Sequence, residues 1–180
     1  LARRALLDSL ATEGLLTRNS SLEVPTMVRR VALVTSASSA ACADALHELE
    51  SWAIGWDVVL VDTQVQGMGA ESMIAAAIAR AVSEGVELIL LVRGGGSRSD
   101  LGPFDSERVA RAIALCAVPV WTGIGHEIDR SVADEVAARS HKTPTACAAA
   151  VADMVRAQLD LAHDLWSGIE RRCTEVVSRG

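Results

Sequence analysis

Four apolar runs recur along the chain, and each of them ends in small or polar residues. They read RRVALVTS, WDVVLVDT, VELILLVRGGG and AVPVWTGIGHE. Continuous runs of Val, Ile and Leu are typical of strands that are buried on both faces, as in parallel sheets. Alanine-rich segments with helical spacing lie between the runs, at 40–52, 69–83 and 105–116. The alternation predicts an α/β fold with an open, mostly parallel sheet and helices on both faces.

The two ends of the chain lie outside this alternation. Residues 1–28 are predicted to form a short helix and a polar linker, and residues 29–147 the α/β domain. Pro144 opens a long C-terminal helix, and residues 148–180 are the predicted start of a helical stalk. This helix carries a heptad stripe of apolar residues, namely Val155, Leu159, Ala162, Trp166, Ile169, Cys173 and Val176. A partner-binding stalk and an amphipathic helix lying on the domain both fit the stripe.

The charge of the chain limits what it can bind without specific contacts. It has 17 basic and 23 acidic residues, which gives a formal net charge of −6. Such a chain lacks a basic coat that would hold nucleic acid through its phosphates, so an anion site must be local. No stretch approaches the roughly 20 unbroken apolar residues of a membrane span, and we expect a soluble, cytoplasmic protein. The four cysteines are widely spaced and predict neither a zinc site nor a disulfide framework.

The loops that follow the four predicted strands are expected to meet at one edge of the sheet. They read TSASSA, TQVQGMG, RGGGSRSD and TGIGHEIDRS. In an open parallel sheet, ligands bind outside the carboxyl ends of the strands, where such loops begin. The loops place Ser36, Gln66 and Gly125 at this edge as candidate substrate-binding residues.

The third of these loops begins with Arg93 and continues with three glycines and a serine. Consecutive glycines let main-chain amides crowd around an anion without interference from Cβ atoms, and Arg93 adds a positive charge. The run matches neither the Walker pattern nor GxGxxG, so a flexible turn fits it as well as a phosphate-binding nest. The candidate phosphate-binding residues are Gly94, Gly95, Gly96 and Ser97.

The fourth loop contains a histidine and an aspartate that can share one site. His126 follows two glycines, and Asp129 comes three residues later. A histidine can transfer a proton near neutral pH, and a neighbouring carboxylate can fix its tautomer or stabilise its charged form. The alternative is a structural His126 with Asp129 capping the next helix. The remaining histidines are interpreted as surface residues: His47, His141 and His163.

The ordered motifs resemble one protein family. They are RVALVTS followed by an aspartate, TQVQG, RGGGS, VARAI, PVWTGIGHEID and KTPTA, and they resemble the catalytic region of the exonuclease VII large subunit. The resemblance runs from about Arg29 to the final helix. It implies hydrolysis of single-stranded DNA from both ends to short oligonucleotides, with no metal strictly required and a divalent metal allowed. It also implies a preceding OB-fold domain and a following helical segment that binds the small subunit and allows self-association.

The same resemblance implies roles for individual residues. Carried over by motif, the functional set is Asp44, Arg93, the glycine loop, His126 and Asp129. Arg93 and the loop amides would hold the scissile phosphate, while His126 acts as general base or acid and Asp129 orients it. From the residues alone, Asp44 is only a carboxylate near a helix N-terminus, where the helix dipole stabilises it. Its functional role therefore depends on the resemblance.

Two other functions also fit the sequence. One is a non-catalytic α/β domain that binds phosphate or a nucleotide with its glycine loop and has no need of His126. The other is a scaffold that recruits partners through its C-terminal helix.

Overall fold

The computed structural model describes residues 2–52, 54–95, 98–125 and 130–178, without the side chains of 98–100 and 176. The strands are β1 (Arg30–Thr35), β2 (Asp57–Asp62), β3 (Leu88–Val92), β4 (Val120–Gly123) and β5 (Arg139–Ser140). The helices are α1 (Ala2–Thr12), α2 (Ala40–Ser51), α3 (Ala70–Ser83), α4 (Glu107–Ala114), α5 (Val132–Val136) and α6 (Pro144–Ser178). A 3-10 helix spans Arg98–Asp105.

Within the described residues the strands form a five-stranded sheet in the order β2-β1-β3-β4-β5, and all of the neighbouring pairs are parallel. The chain runs from β1 outward to β2 and then crosses back to β3 on the other side of β1. The direction of winding therefore reverses between β1 and β3, which is the topological switch point of such sheets. The predicted α/β fold is confirmed.

Helices cover both faces of the sheet, and the central strand β3 shows how. All of Leu88–Val92 is buried. Ile89 and Leu91 pack in a core that includes residues of α1, α3, α4 and α5. Leu88, Leu90 and Val92 pack on the opposite face with residues of α2 and α6. Because every side chain of this strand meets a helix, its sequence is a continuous apolar run without alternation.

The segment that precedes β1 is tied to the domain by a buried asparagine. Asn19 is fully buried, and its Nδ2 donates to the carbonyl of Val118 at 3.1 Å. Its Oδ1 accepts from the amides of Val120 at 2.8 Å and Ala138 at 3.2 Å. One side chain therefore bonds main-chain groups at the starts of β4 and β5, and the amide of Ala138 also donates to the carbonyl of Val120 at 2.9 Å. The predicted linker is thus attached to the sheet by the hydrogen bonds of Asn19.

Helix α6 begins on the domain and then leaves it. Val155 is fully buried, whereas Leu159, Trp166 and Ile169 of the heptad stripe are 44%, 62% and 54% exposed. The domain therefore covers the apolar stripe only as far as Val155, and the helical stalk stays a prediction. No helix among the described residues is long and apolar enough to cross a membrane.

Helix α4 begins at Glu107, two residues after the start of the 105–116 segment predicted from the sequence. Ser106, and not Asp105, is its N-cap, with the hydroxyl oxygen accepting from the amide of Val109 at 3.3 Å. The carboxylate of Asp105 instead accepts from the amide of Val132 at 2.9 Å. Asp105 therefore connects the 3-10 helix to the start of α5.

Candidate active site

A cavity of about 910 Å³ opens at the carboxyl edge of the sheet. Its lining comes from the loops after β1, β2 and β3 and from the first turn of α2. The cavity therefore lies at the switch point between β1 and β3, where ligands bind in open α/β sheets. Of the residues predicted from the sequence, five line it, namely Ser36, Gln66, Arg93, Gly94 and Gly95.

Arg93 supplies a buried positive charge to this cavity. The residue is 2% exposed, and its amide donates to the carbonyl of Gly123 at 3.2 Å, which continues the ladder between β3 and β4. A charge in such a low-dielectric position interacts with a ligand more strongly than the same charge in water. Arg93 can therefore contribute strongly to binding an anion that enters the cavity.

Gly94 brings the loop after β3 close to the N-terminus of α2. A Cβ on Gly94 would lie 3.2 Å from the Cβ of Ala41 and 3.6 Å from its amide nitrogen. Ser39 is the N-cap of α2, and its hydroxyl oxygen accepts from the amide of Cys42 at 3.1 Å. The first turn of a helix carries a partial positive charge that favours anions. Helix α2 and Arg93 thus present positive potential to the same cavity.

On the β2 side of the cavity, the sequence places the TQVQGMG loop at this edge but singles out only Gln66 as a site residue. Asp62, Thr63 and Gln64 also line the cavity. The Asp62 Oδ1 accepts from the amide of Ala37 at 2.8 Å, which joins the loops after β1 and β2. The Asp62 carboxylate also affects α2. Burial is the main cause that raises the pKa of the Cys42 thiol, and the negative charge of Asp62 is the second cause. A run of polar residues at the end of an apolar strand is the sequence signal that marks this side.

Gly125 brings the loop after β4 to the same edge. Its φ of +76° is in the region that favours glycine. A Cβ on Gly125 would lie 3.4 Å from the carbonyl oxygen of Lys142 and 3.9 Å from that of Arg93. The loop therefore passes between the ends of β3 and β5. Other predicted site residues lie outside the described part of the chain, namely Gly96, Ser97, His126 and Asp129.

Asp44 lies on α2 away from the cavity lining. It is exposed and is one turn beyond Ala40 and Ala41, which do line the cavity. Its predicted role stays a prediction.

The start of α5 is held by a hydrogen-bonded cluster around Asp134. The amide and hydroxyl of Ser131 donate to the Asp134 Oδ2 at 2.9 Å and 2.7 Å, and Ser131 is the N-cap of the helix. The hydroxyl of Thr122, in β4, donates to the Asp134 Oδ1 at 2.5 Å. The capping role considered for Asp129 is thus performed by Ser131, and Asp134 joins α5 to the strand that precedes the fourth loop.

His141 is not the surface residue that the sequence suggested. Its amide donates to the carbonyl of Thr122 at 2.8 Å, and its ring centroid lies 5.4 Å from that of the buried Trp121. Arg139 lies on the same indole, with its guanidinium carbon 4.7 Å from the ring centroid. The pKa of His141 is lowered mainly by burial and, to a smaller extent, by the positive charge of Arg139. The exposed positions expected for His47 and His163 are confirmed.

Among residues 2–52, 54–95, 98–125 and 130–178, no group of three His, Cys, Asp or Glu side chains is clustered in the manner of metal ligands. The polar groups that the described residues contribute to the cavity are the guanidinium of Arg93, hydroxyls, amides and the carboxylate of Asp62.

A family model described as exonuclease VII, large subunit, matches residues 15–179 of this chain. The chain belongs to the exonuclease VII large-subunit family. The family expected from the ordered motifs is thereby confirmed.

Individual relatives agree with the family match. An exodeoxyribonuclease 7 large subunit of Aliivibrio fischeri is 42% identical over 173 residues, which cover 95% of this chain and 37% of the relative. The protein of the same name in Moorella thermoacetica is 40% identical over 178 residues, covering 96% of this chain and 44% of the relative. That of Bordetella avium is 43% identical over 155 residues, or 86% of this chain and 34% of the relative. The chain thus spans less than half the length of these relatives.

Proposed function

We propose that this region binds and hydrolyses phosphodiester bonds of single-stranded DNA, as the catalytic part of an exonuclease VII large subunit. The observation that carries the proposal is a buried arginine facing a cavity at the switch point, in a chain of this family. The products are short oligonucleotides released from both ends of the strand.

The scissile phosphate is held on the β3 side of the cavity. Arg93 supplies the charge, and the amides of the glycine loop and of the first turn of α2 supply hydrogen-bond donors. Preorganised donors of this kind stabilise the charge that develops on the phosphoryl oxygens in the transition state. This arrangement gives Arg93 a role in the chemical step as well as in binding.

Three further residues belong to the proposed mechanism. His126 takes a proton from the attacking water as the new P–O bond forms, or gives one to the departing sugar oxygen as the old P–O bond breaks. Asp129 orients His126, and Asp44 is assigned a role by its motif. Gly125 supports this placement, because the residue before His126 lies next to the main chain of Arg93.

The test is degradation of end-labelled single-stranded DNA by the full-length protein with its small subunit. Arg93→Met keeps much of the side-chain volume and removes the charge, so kcat should fall about 100- to 1000-fold. Arg93→Lys should retain part of the activity, since it keeps the charge but loses the bidentate geometry. Arg18→Met replaces an exposed arginine outside the cavity lining and serves as the matched control.

Undiminished nucleolysis by Arg93→Met or His126→Ala, in correctly folded protein, would contradict the proposed mechanism. Binding of phosphate compounds without any degradation of DNA would instead favour the non-catalytic nucleotide-binding domain. The same assay with a chelator, and then with added Mg²⁺, tests the proposal that a divalent metal is not required.

The partners are assigned with the function. Single-stranded DNA is the substrate, and the small subunit binds along the helical region that α6 begins. The exposed apolar residues of the stalk, Leu159, Trp166 and Ile169, support a helical partner, because buried heptad stripes join helices into coiled coils. Self-association through this helix and a cytoplasmic location belong to the same proposal.

A further inference from the structure

We propose that the free edge of β2, together with the apolar groove beside it, binds an extended peptide segment that carries basic residues at one end. Strand β2 ends the sheet, so among the described residues only β1 pairs with it. Proteins recognise extended peptides by adding them to such an edge, where main-chain hydrogen bonds supply affinity. The groove shares no lining residue with the cavity at the carboxyl edge, so the proposal is independent of the proposed nuclease.

The main chain of β2 presents hydrogen-bonding groups on its outer side. The amides of Asp57 and Thr63 donate to carbonyls on the β1 side, each at 2.9 Å. The main-chain groups of successive residues in a strand point to opposite sides. The amides and carbonyls of Val58 and Leu60 therefore face away from β1. A row of such groups is a template on which a further strand can form.

The middle of β2 lacks the usual protection of a sheet edge. Proteins commonly protect such an edge with Pro, Lys or a β-bulge. The strand reads DVVLVD, and it pairs with β1 without a bulge over its six residues. At the carboxyl end the Arg80 Nη2 donates to the carbonyl of Asp62 at 2.8 Å, so that end is covered. The open part of the edge is therefore residues 58–60.

An apolar groove of about 750 Å³ lies beside this open part. Its apolar lining comes from α2, from the turn after it and from β2, namely Leu46, Leu49, Ile54, Trp56, Val58 and Leu60. Leu60 is 42% exposed, whereas the leucines of the central strand β3 are fully buried. An added strand would project every second side chain over the groove and remove this apolar surface from water.

The charges at the groove indicate which segment it binds. Glu50 and Asp57 line it, and no lysine or arginine does so within the described ranges. The Asp57 Oδ2 lies 2.9 Å from the Arg30 Nη1, so the exposed Glu50 is the main contact for a basic side chain. Such a lining attracts a basic peptide and repels the phosphates of a nucleic acid.

A second copy of this chain does not supply the required charge. Two copies that docked through this edge would bring identical surfaces together. Each would offer the carboxylates of Glu50 and Asp57 to a lining of the same sign, and each chain carries a formal net charge of −6. The occupant is therefore a different segment, apolar at alternate positions and basic at one end.

The probe is a fluorescein-labelled peptide of alternating valine and threonine with two arginines at one end. Two versions carry the arginines at the N- or the C-terminus, because an edge strand can be added in either direction. Fluorescence anisotropy with the full-length protein measures Kd. At least one version should bind, and replacing its arginines by glutamates should weaken binding at least about tenfold.

The charge of the groove is tested by one substitution and its control. Glu50→Gln should weaken binding of the arginine peptide about two- to fivefold, as expected for one exposed ion pair. Glu170→Gln removes the same charge at an exposed position of α6 outside the groove, and it should leave the Kd unchanged.

The main-chain contacts are tested from both partners. Leu60→Pro removes an amide hydrogen that faces away from β1, and proline is accepted at such edge positions. Leu60→Ala is its control, because it shortens the side chain and keeps the amide. Leu60→Pro should bind the peptide at least about fivefold more weakly than Leu60→Ala. In the peptide, N-methylation of one alternate set of residues should abolish binding to the wild type, and methylation of the other set should not.

Four results would overturn the proposal. They are no binding of either arginine peptide, equal binding of the glutamate peptide, equal weakening by Glu50→Gln and Glu170→Gln, and equal effects of the two methylated sets. Analytical ultracentrifugation tests the second copy. A dimer that Leu60→Pro dissociates and Leu60→Ala does not would also overturn the proposal, because this edge would then join two copies of the chain.

Discussion

A Cβ on Gly94 would lie 3.2 Å from the Cβ of Ala41, so the end of β3 and the first turn of α2 are in direct contact. The contact brings the glycine loop and the positive end of a helix to one cavity. Gly94 therefore owes its identity to close packing, whereas Gly95, where a Cβ would meet nothing within 4 Å, does not.

Gly94→Ala should push α2 away from β3. We expect a loss of about 1 kcal/mol in the free energy of unfolding, as for a modest overpacking. Nucleolysis should fall at least about tenfold, because donors displaced by a fraction of an ångström stabilise the transition state poorly. Urea denaturation and the DNA degradation assay measure the two effects. Gly95→Ala is the control, and destabilisation of equal size in that variant would disprove the packing explanation.

Asp134→Ala should destabilise the start of α5. The change removes the capping box with Ser131 and leaves the hydroxyl of Thr122 without its acceptor. We expect a loss of about 2 kcal/mol in the free energy of unfolding, measured in urea. Glu135→Ala serves as the control, because its ion pairs with Arg3 and Arg130 are 3.8 Å long and partly exposed. Its cost should stay within about 0.5 kcal/mol, and equal costs for the two variants would refute the role of the cluster.

Gly123→Ala should be the most damaging of the glycine substitutions. A Cβ at this position would lie 2.9 Å from the Cβ of Cys147 and 2.9 Å from the carbonyl oxygen of Thr143, so β4 and α6 would have to separate. We expect a loss of about 3 kcal/mol, seen as a lower Tm. The control is Gly168→Ala on the stalk, where a Cβ meets nothing within 4 Å. That variant should stabilise the helix by about 1 kcal/mol, because alanine has a higher helix propensity than glycine.

The stability of the domain should depend on the protonation of His141. Its pKa is lowered from the ordinary value of 6.5 in the folded protein, so the unfolded chain binds this proton at higher pH than the folded chain does. The free energy of unfolding should therefore decrease as the pH falls below about 6.5, and the contribution is fully retained above that value.

The variant His141→Phe keeps a ring against Trp121 and removes the titrating group. Urea denaturation between about pH 7.5 and 5.5 should show a smaller loss of stability in this variant than in the wild type. His163→Gln, at an exposed position, should keep the wild-type dependence. If His141→Phe and the wild type lose stability in parallel, another group is responsible.

The sequence predicts most of this fold because β1, β3 and β4 are buried along almost their whole length, whereas the edge strand β2 is partly exposed although its sequence is an equally apolar run. The apolar runs of β1 to β4 are long enough to be recognised without any knowledge of their neighbours. Strand β5 is different, since it consists of the polar residues Arg139 and Ser140. Its strand conformation comes from pairing with β4, and the amide of His141 extends that pairing by bonding to Thr122. A strand defined only by its partner leaves no periodic signal.

The candidate site also has one part that the sequence predicts and another part that it does not. Arg93 and the glycines are visible in the sequence because charge and bare backbone follow a buried strand directly. The loop that begins with Thr63 is placed at this edge from the sequence, but Asp62 and Thr63 are not singled out, because their importance comes from contacts across strands. The Asp62 carboxylate acts on the amide of Ala37, and the isolation of the Thr63 hydroxyl appears only when its whole surroundings are known. Sequence patterns report local preference, and such contacts join distant parts of the chain.

The tight contact of Gly123 with the start of α6 has a mechanical consequence. Beyond Arg156, whose guanidinium lies over the ring of Trp52, the helix continues for 22 residues, or about 33 Å at 1.5 Å per residue. This projecting part of the helix is anchored where Thr143 and Cys147 lie against Gly123 at the end of β4. Force applied to the far end of the helix by anything bound there is transmitted to the strand that leads into the fourth loop.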